Sequence, residues 1–252
     1  MINAPQDNFD SVDAVLLPGQ PGLRRHVRFD VTQGRVTGEL ADDYHHFTVT
    51  LEHDGDVVRH VEARPIRTPW DICTASSQHL AQRLIGTPLR EAAGFDVQSS
   101  HCTHQFDLAI ATAAHAFEAV GAHRYRIFVS DPDPDTSRRR ALLFREDQPL
   151  LDWRMDGTII QSPQALRGRN LKDLRGWIDV FPASVREPAK LLRRAFYISE
   201  GRQVVHSPAL FAERTALLTG ACYVYQPERI VHARRNDDTV RDFSDGAVTP
   251  FT

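Results

Sequence analysis

The chain has 252 residues, 41% hydrophobic and 25% charged, so it is long enough to bury a sizeable core and too apolar for an intrinsically disordered segment. A formal net charge of -3 excludes a generally basic, nucleic-acid-coating surface. Only Lys172 and Lys190 are lysine among the 30 basic residues; GC-rich coding explains this bias better than function, unless the arginines gather around a planar or anionic ligand.

The first ten residues, MINAPQDNFD, carry neither a basic nor an apolar signal pattern, and no stretch reaches the roughly 20 apolar residues of a membrane helix. The expectation is a cytoplasmic protein with no nucleic-acid or membrane partner, for which a homodimer is a compatible assembly. Cys73, Cys102 and Cys222 are too few for a disulfide scaffold, and their odd number leaves a free thiol.

Residues 1–22 read as an irregular arm broken by Pro5, Pro18, Gly19, Pro21 and Gly22, and residues 23–252 as a single α+β catalytic domain. Arg24–Val31 alternates polar and apolar like a half-buried strand and meets a turn at Gln33-Gly34. Strands at Arg35–Ala41, Tyr44–His53 and Asp56–Arg64 follow, the last two joined by Asp54-Gly55. A two-residue turn there pairs Leu51 with Val58, Val49 with His60 and His45 with Arg64. His45 then ends an apolar face that includes Phe47, while His46 points the other way.

Helical spacing takes over at Thr74–Ile85, which stops at Gly86 and Pro88, and at Thr103–Val120, closed by Gly121. Strands return at Tyr125–Val129, Ala141–Arg145, Leu150–Arg154 and Thr158–Gln161. The last third is helical in pattern: Asn170–Trp177, Glu187–Ile198, and Pro208–Leu218 with Ser207 as N-cap. The fold class is therefore α+β, an N-terminal antiparallel β-meander packed with helices. The runs Arg138-Arg139-Arg140 and Arg193-Arg194 lie beside acids and read as solvated faces.

The densest chemistry falls in Asp42-Asp43-Tyr44-His45-His46 and His101-Cys102-Thr103-His104-Gln105-Phe106-Asp107. Asp107 lies one turn from His104 and can orient it as a carboxylate orients a general base; a first-turn acid favoured by the helix dipole is the competing reading. His115 reads as a half-buried helix residue. Cys102 sits at a helix N-terminus, which lowers a thiol's pKa, although a buried small hydrophobe is the commoner fate of a free cysteine, and Cys73 shares it. Asp43 and Arg64 supply a carboxylate and a guanidinium at the same hairpin end, or else a structural ion pair. No cofactor is expected. Zinc or another divalent metal on Cys73, Cys102, His104 and His45 or His46 is a weaker alternative, because a CxH step rarely converges on one ion. GxGxxG, GxxxxGK[ST], GxSxG and HExxH are absent.

Taken in order, Arg24-Arg25-His26-Val27-Arg28, Asp42-Asp43-Tyr44-His45-His46-Phe47 with Leu51-Glu52-His53-Asp54-Gly55, Arg67-Thr68-Pro69-Trp70 with Cys73, and Cys102-Thr103-His104 with Asp107 resemble a bacterial family catalogued as domain of unknown function 2889. The resemblance covers roughly residues 20–120. It implies a carbon-carbon lyase similar to those that release formaldehyde from lignin-derived aromatic dimers to leave a stilbene. On that reading His45 or His46 and His104 are base and acid, Asp43 or Asp107 an orienter and Arg64 a cation. Tyr44, Trp70, Cys73 and Cys102 would line the pocket for an aromatic substrate. A thioester or amide hydrolase and a non-enzymatic aromatic-ligand-binding protein are the alternatives.

Overall fold

Eight strands form one antiparallel sheet: β1 Gly22–Thr32, β2 Arg35–Ala41, β3 His46–His53, β4 Val58–Arg67, β5 Gly121–Ser130, β6 Arg138–Arg145, β7 Gln148–Asp156 and β8 Ile159–Ser162. The computed structural model describes residues 20–204 and 215–244. Almost all of the expected N-terminal arm and most of the expected Pro208–Leu218 helix lie outside the described residues.

The strand order is β4-β3-β2-β1-β5-β6-β7-β8, so two four-stranded meanders meet back to back along the β1–β5 pair. Alternation dictates which face is buried. Leu23, Val27, Phe29 and Val31 of β1 point to the helical side with Val36 and Leu40 of β2, Phe47, Val49 and Leu51 of β3, and Tyr125, Ile127 and Val129 of β5. These side chains join one core cluster that runs across both meanders. Phe128, Leu142 and Phe144 form a small second cluster on the opposite face.

The helices cover the core face in two groups. Helix α1, Ala75–Leu84, packs on edge strand β4, and α2, Thr103–His115, packs on β2 and β3. After β8 come α3, Leu174–Trp177, and α4, Ala183–Ser199, which lies over β5, β1, β6 and β7. Gln105 ties α1 to α2, accepting from Ser76 Oγ at 3.1 Å and donating to Ser77 Oγ at 2.7 Å. His115 is fully buried and structural: its Nδ1 donates to Ala111 O at 2.7 Å, its Nε2 meets Tyr125 Oη at 3.0 Å, and its ring stacks on Phe29. Among the described residues no helix is long and apolar enough to cross a membrane.

The expected hairpin register is corrected by three positions. Asp54 Oδ1 accepts from the Asp56 and Val57 amides, so the connection is four residues long, and bulges at Glu52/His53 and His46/Phe47 shift the ladder further. Leu51 pairs with Val61, Val49 with Ala63 and Thr48 with Arg64. The arginine runs are corrected too, since Arg139 is buried, donating from Nε to Ser130 O at 3.0 Å and lying over the Phe196 ring.

Gly38 sets how closely α2 approaches the sheet. A β-carbon there would stand 2.2 Å from Thr112 Oγ1 and 3.1 Å from Leu108 Cδ1 and Phe29 Cε1. Gly38→Ala is therefore expected to push α2 off β2 and cost about 1–3 kcal/mol, read as a lower thermal melting temperature. An unchanged melting temperature would show that the helix does not need this approach.

Candidate functional site

A cavity of about 690 Å³ lies between the segment before β3, the N-terminus of α2, α4, and residues 215–225. The expected Tyr44, His45, Trp70, Cys73, Cys102 and His104 all line it. Arg193, Arg194 and Lys172 give one wall positive charge, and Tyr197 and Tyr225 add aromatic surface.

The frame of this site is a buried ion pair. Arg25 and Asp42 have side chains 1% and 0% exposed, and Arg25 Nε donates to Asp42 Oδ2 at 2.9 Å. Asp42 Oδ1 accepts from the backbone amides of Tyr44 and His45 at 2.9 and 2.8 Å, and meets His45 Nδ1 at 3.0 Å. That bond gives Nδ1 the proton and leaves Nε2 of a neutral His45 as the lone-pair nitrogen. Arg67 closes the loop from outside, donating to the carbonyl oxygens of Asp42, Asp43 at 2.9 Å and His45 at 3.2 Å.

Loop geometry, not strand alternation, turns His45 and His46 apart. His45 precedes β3, lines the cavity and stacks on His104, with ring centroids 3.7 Å apart and planes inclined 26°. Burial holds both imidazoles below the ordinary range, His104 well below, with His45 pressing it further. Among the described residues, His104 Nε2 and the Tyr44 and Tyr197 hydroxyls are buried with no hydrogen-bond partner. This leaves unsatisfied polar atoms at a cavity, which a ligand can satisfy.

Several expected partners belong elsewhere. His46 meets Glu39 Oε1 at 2.7 Å on the far face of the sheet. Arg64 is exposed and bonds Glu62 at 2.7 Å, because the longer hairpin loop carries it past the site; Arg25 and Arg67 hold the guanidinium positions near His45. Asp43 does not touch His45; its carboxylate meets Arg202 Nη1 at 2.5 Å, and burial pushes its pKa up to about 7 against the pull of that arginine. Asp107 binds Arg194 Nε at 2.5 Å and not His104, so it positions a cationic wall of the cavity.

Cys102 is the N-cap of α2, yet burial pushes its thiol up to about 12, which overrides the backbone amides of His104 and Gln105 that pull it down. Cys73 is raised as well, so neither is an activated nucleophile. Cys102 Sγ stands 4.0 Å from His104 Nδ1, but among the described residues the donor atoms of Cys73, Cys102, His104 and His45 do not all gather within 4.8 Å.

Asp42, Arg25 and Arg67 stand in the sequence motifs, but the sequence alone assigned them no role at the site. Arg25 carried a usable signal, since it shares an alternation with Leu23, Val27 and Phe29 and a charge on an apolar face demands a buried partner. The cavity-facing Arg193 and Arg194 gave no comparable sign. No protein-family model and no curated protein matches the chain.

The buried imidazoles fix a pH dependence. His45, His101, His104 and His115 are lowered mainly by burial, and His26 is lowered to about 4 by burial with Arg126 and Arg24. The unfolded chain takes up protons that these folded rings refuse, so stability is present above the free imidazole value of about 6.5 and falls as the pH drops below it. Asp43 works in the opposite sense, one carboxyl against the named imidazoles. The melting temperature is expected to fall steadily between about pH 7 and about pH 5, and a flat or rising profile would contradict the burial of these neutral rings.

Proposed function

We propose that the chain is a cofactor-independent carbon-carbon lyase that releases formaldehyde from a hydroxymethyl-bearing diaryl compound of the lignin-derived type, leaving a stilbene. The observation that carries this reading is the stacked, neutral His45–His104 pair set in a cavity with aromatic and cationic walls. A cavity of about 690 Å³ lies within the range of small-molecule sites and has room for two aromatic rings. The resemblance of residues 20–120 supports the same chemistry.

His45 Nε2 takes the hydroxymethyl O–H proton, and Asp42 steadies the imidazolium that forms through Nδ1. The C–C bond then breaks as the O–C bond becomes the carbonyl of formaldehyde. The released electron pair forms the new alkene, and a hydroxyl on the neighbouring benzylic carbon departs with a proton as water. The balance is substrate to stilbene, formaldehyde and water, with no net oxidation or reduction. His104 and Tyr44, each with a polar atom that has no partner among the described residues, face this leaving group as acid or hydrogen-bond donor, and Arg193 and Arg194 lie where a phenolate's charge can be met.

Incubating the protein with a panel of 1,2-diarylpropane-1,3-diols should give formaldehyde and stilbene in equal amounts. His45→Ala should lose about 10²-fold or more in kcat, and Asp42→Asn should lose rate with substrate still bound. Cys102→Ala should keep its activity, whereas its loss would favour a thiol hydrolase. Absence of formaldehyde across the panel, together with unchanged ligand affinity in His45→Ala and His104→Ala, would replace the lyase by a binding protein.

A further inference from the structure

A second histidine cluster lies behind the wall of the cavity. His79 on α1, Asp96 in the loop after it and His101 just before α2 bring one donor atom each to within 4.8 Å of one another. None of the three lines the cavity. Asp96 Oδ2 meets His101 Nε2 at 3.0 Å, and the His79 and His101 rings stand 4.7 Å apart.

His101 is held from several directions. It is 0% exposed, packed beside Phe95 and Phe106, and its backbone oxygen accepts from the Tyr223 amide at 2.9 Å. Its ring is nevertheless under-satisfied, because Nδ1 is buried with no partner among the described residues. Asp96 is orientated by the Val97 amide at 2.7 Å on Oδ1 and by Arg83 Nε at 2.8 Å on Oδ2. Such outer contacts commonly fix a ligating carboxylate.

We propose that His79, Asp96 and His101 form a binding site for a single divalent transition-metal ion, zinc by preference. Two imidazoles and one carboxylate suit a borderline cation rather than calcium or magnesium, which take oxygen-rich shells. The donor atoms need only a small contraction from their present spacing to reach zinc at about 2.0–2.2 Å. On binding, the neutral His101 ring changes tautomer, its proton passing from Nε2 to Nδ1, so that the Nε2 lone pair turns to the ion and the ion takes the place of that proton against Asp96. Water completes the shell, and the half-exposed His79 and Asp96 leave a path for it.

The consequence is positional. The ion links α1, the loop at Asp96 and the start of α2, and His101 is one residue from the N-cap Cys102 and three from His104. The metal therefore supports the wall that carries His104 while staying outside the reacting space. This inference is independent of the lyase reading.

The test uses the untagged chain, stripped with chelator and titrated with zinc chloride, with bound metal measured by elemental analysis and affinity by calorimetry. One equivalent should bind and raise the melting temperature. His79→Ala and the isosteric Asp96→Asn should each weaken zinc by more than about tenfold, while Cys73→Ser and Cys102→Ser leave it unchanged. No stoichiometric uptake would overturn the site. So would uptake that survives His79→Ala and Asp96→Asn, and its loss in Cys102→Ser would then place the ion among the cavity thiols.

Discussion

The buried Arg25–Asp42 pair is the constraint on which the rest of the molecule turns. Two charges removed from water are tolerated only when nearly every lone pair and proton is met, and losing one partner of such a pair typically costs about 3–5 kcal/mol. Asp42 meets this demand through both Arg25 nitrogens, two backbone amides and the His45 ring. Arg25 lies on β1 opposite Ile127 of β5, at the seam of the two meanders. The pair thus fixes the loop that carries His45 to the most central part of the sheet.

Arginine extends this logic outward. Arg67 answers the carbonyl groups of the same loop, and Arg202 joins Asp43 to Asp131, bringing the end of α4 and the exit of β5 against the site loop. A planar guanidinium with five donors can serve several oxygens at once, which an ammonium cannot do in one geometry. The arginine-rich composition, whatever its origin in coding, is used here as structural cross-linking. The cavity is consequently shared: His45 and His104 come from the first half of the chain, and Arg193, Arg194 and Tyr197 from the second.

Neutrality of the imidazoles follows from the same burial. Stacked at 3.7 Å and buried, neither ring carries a proton easily, and His104 feels His45 and Arg25 as further opposition. One ring is tied to a carboxylate and the other has a free nitrogen, so the two differ in what they can do with a proton. That asymmetry, rather than any single residue, makes the site suited to acid–base work.

The sequence by itself determined most of the elements. Alternation in β1 and turn signals between the rest marked eight strands, β2 to the residue, and helical spacing with Gly86 and an alanine-rich run marked α1 and α2, although α2 ends at His115, short of Val120. It also picked out His45 and His104, because dense chemistry at the start of an element is visible locally. Register and partnership were not. A carboxylate at Asp54 that captures two amides lengthens a loop by two residues, and that choice, with two bulges, moves Arg64 out of the site. Asp42 holds His45 from only three residues away, but that Arg25 holds Asp42 in place and that Asp107 serves Arg194 were decided by contacts across 17 and 87 residues of chain, and α4 closes the cavity from the second half of the chain. Local pattern fixes which face a side chain takes, whereas only the packed sheet fixes what stands opposite it.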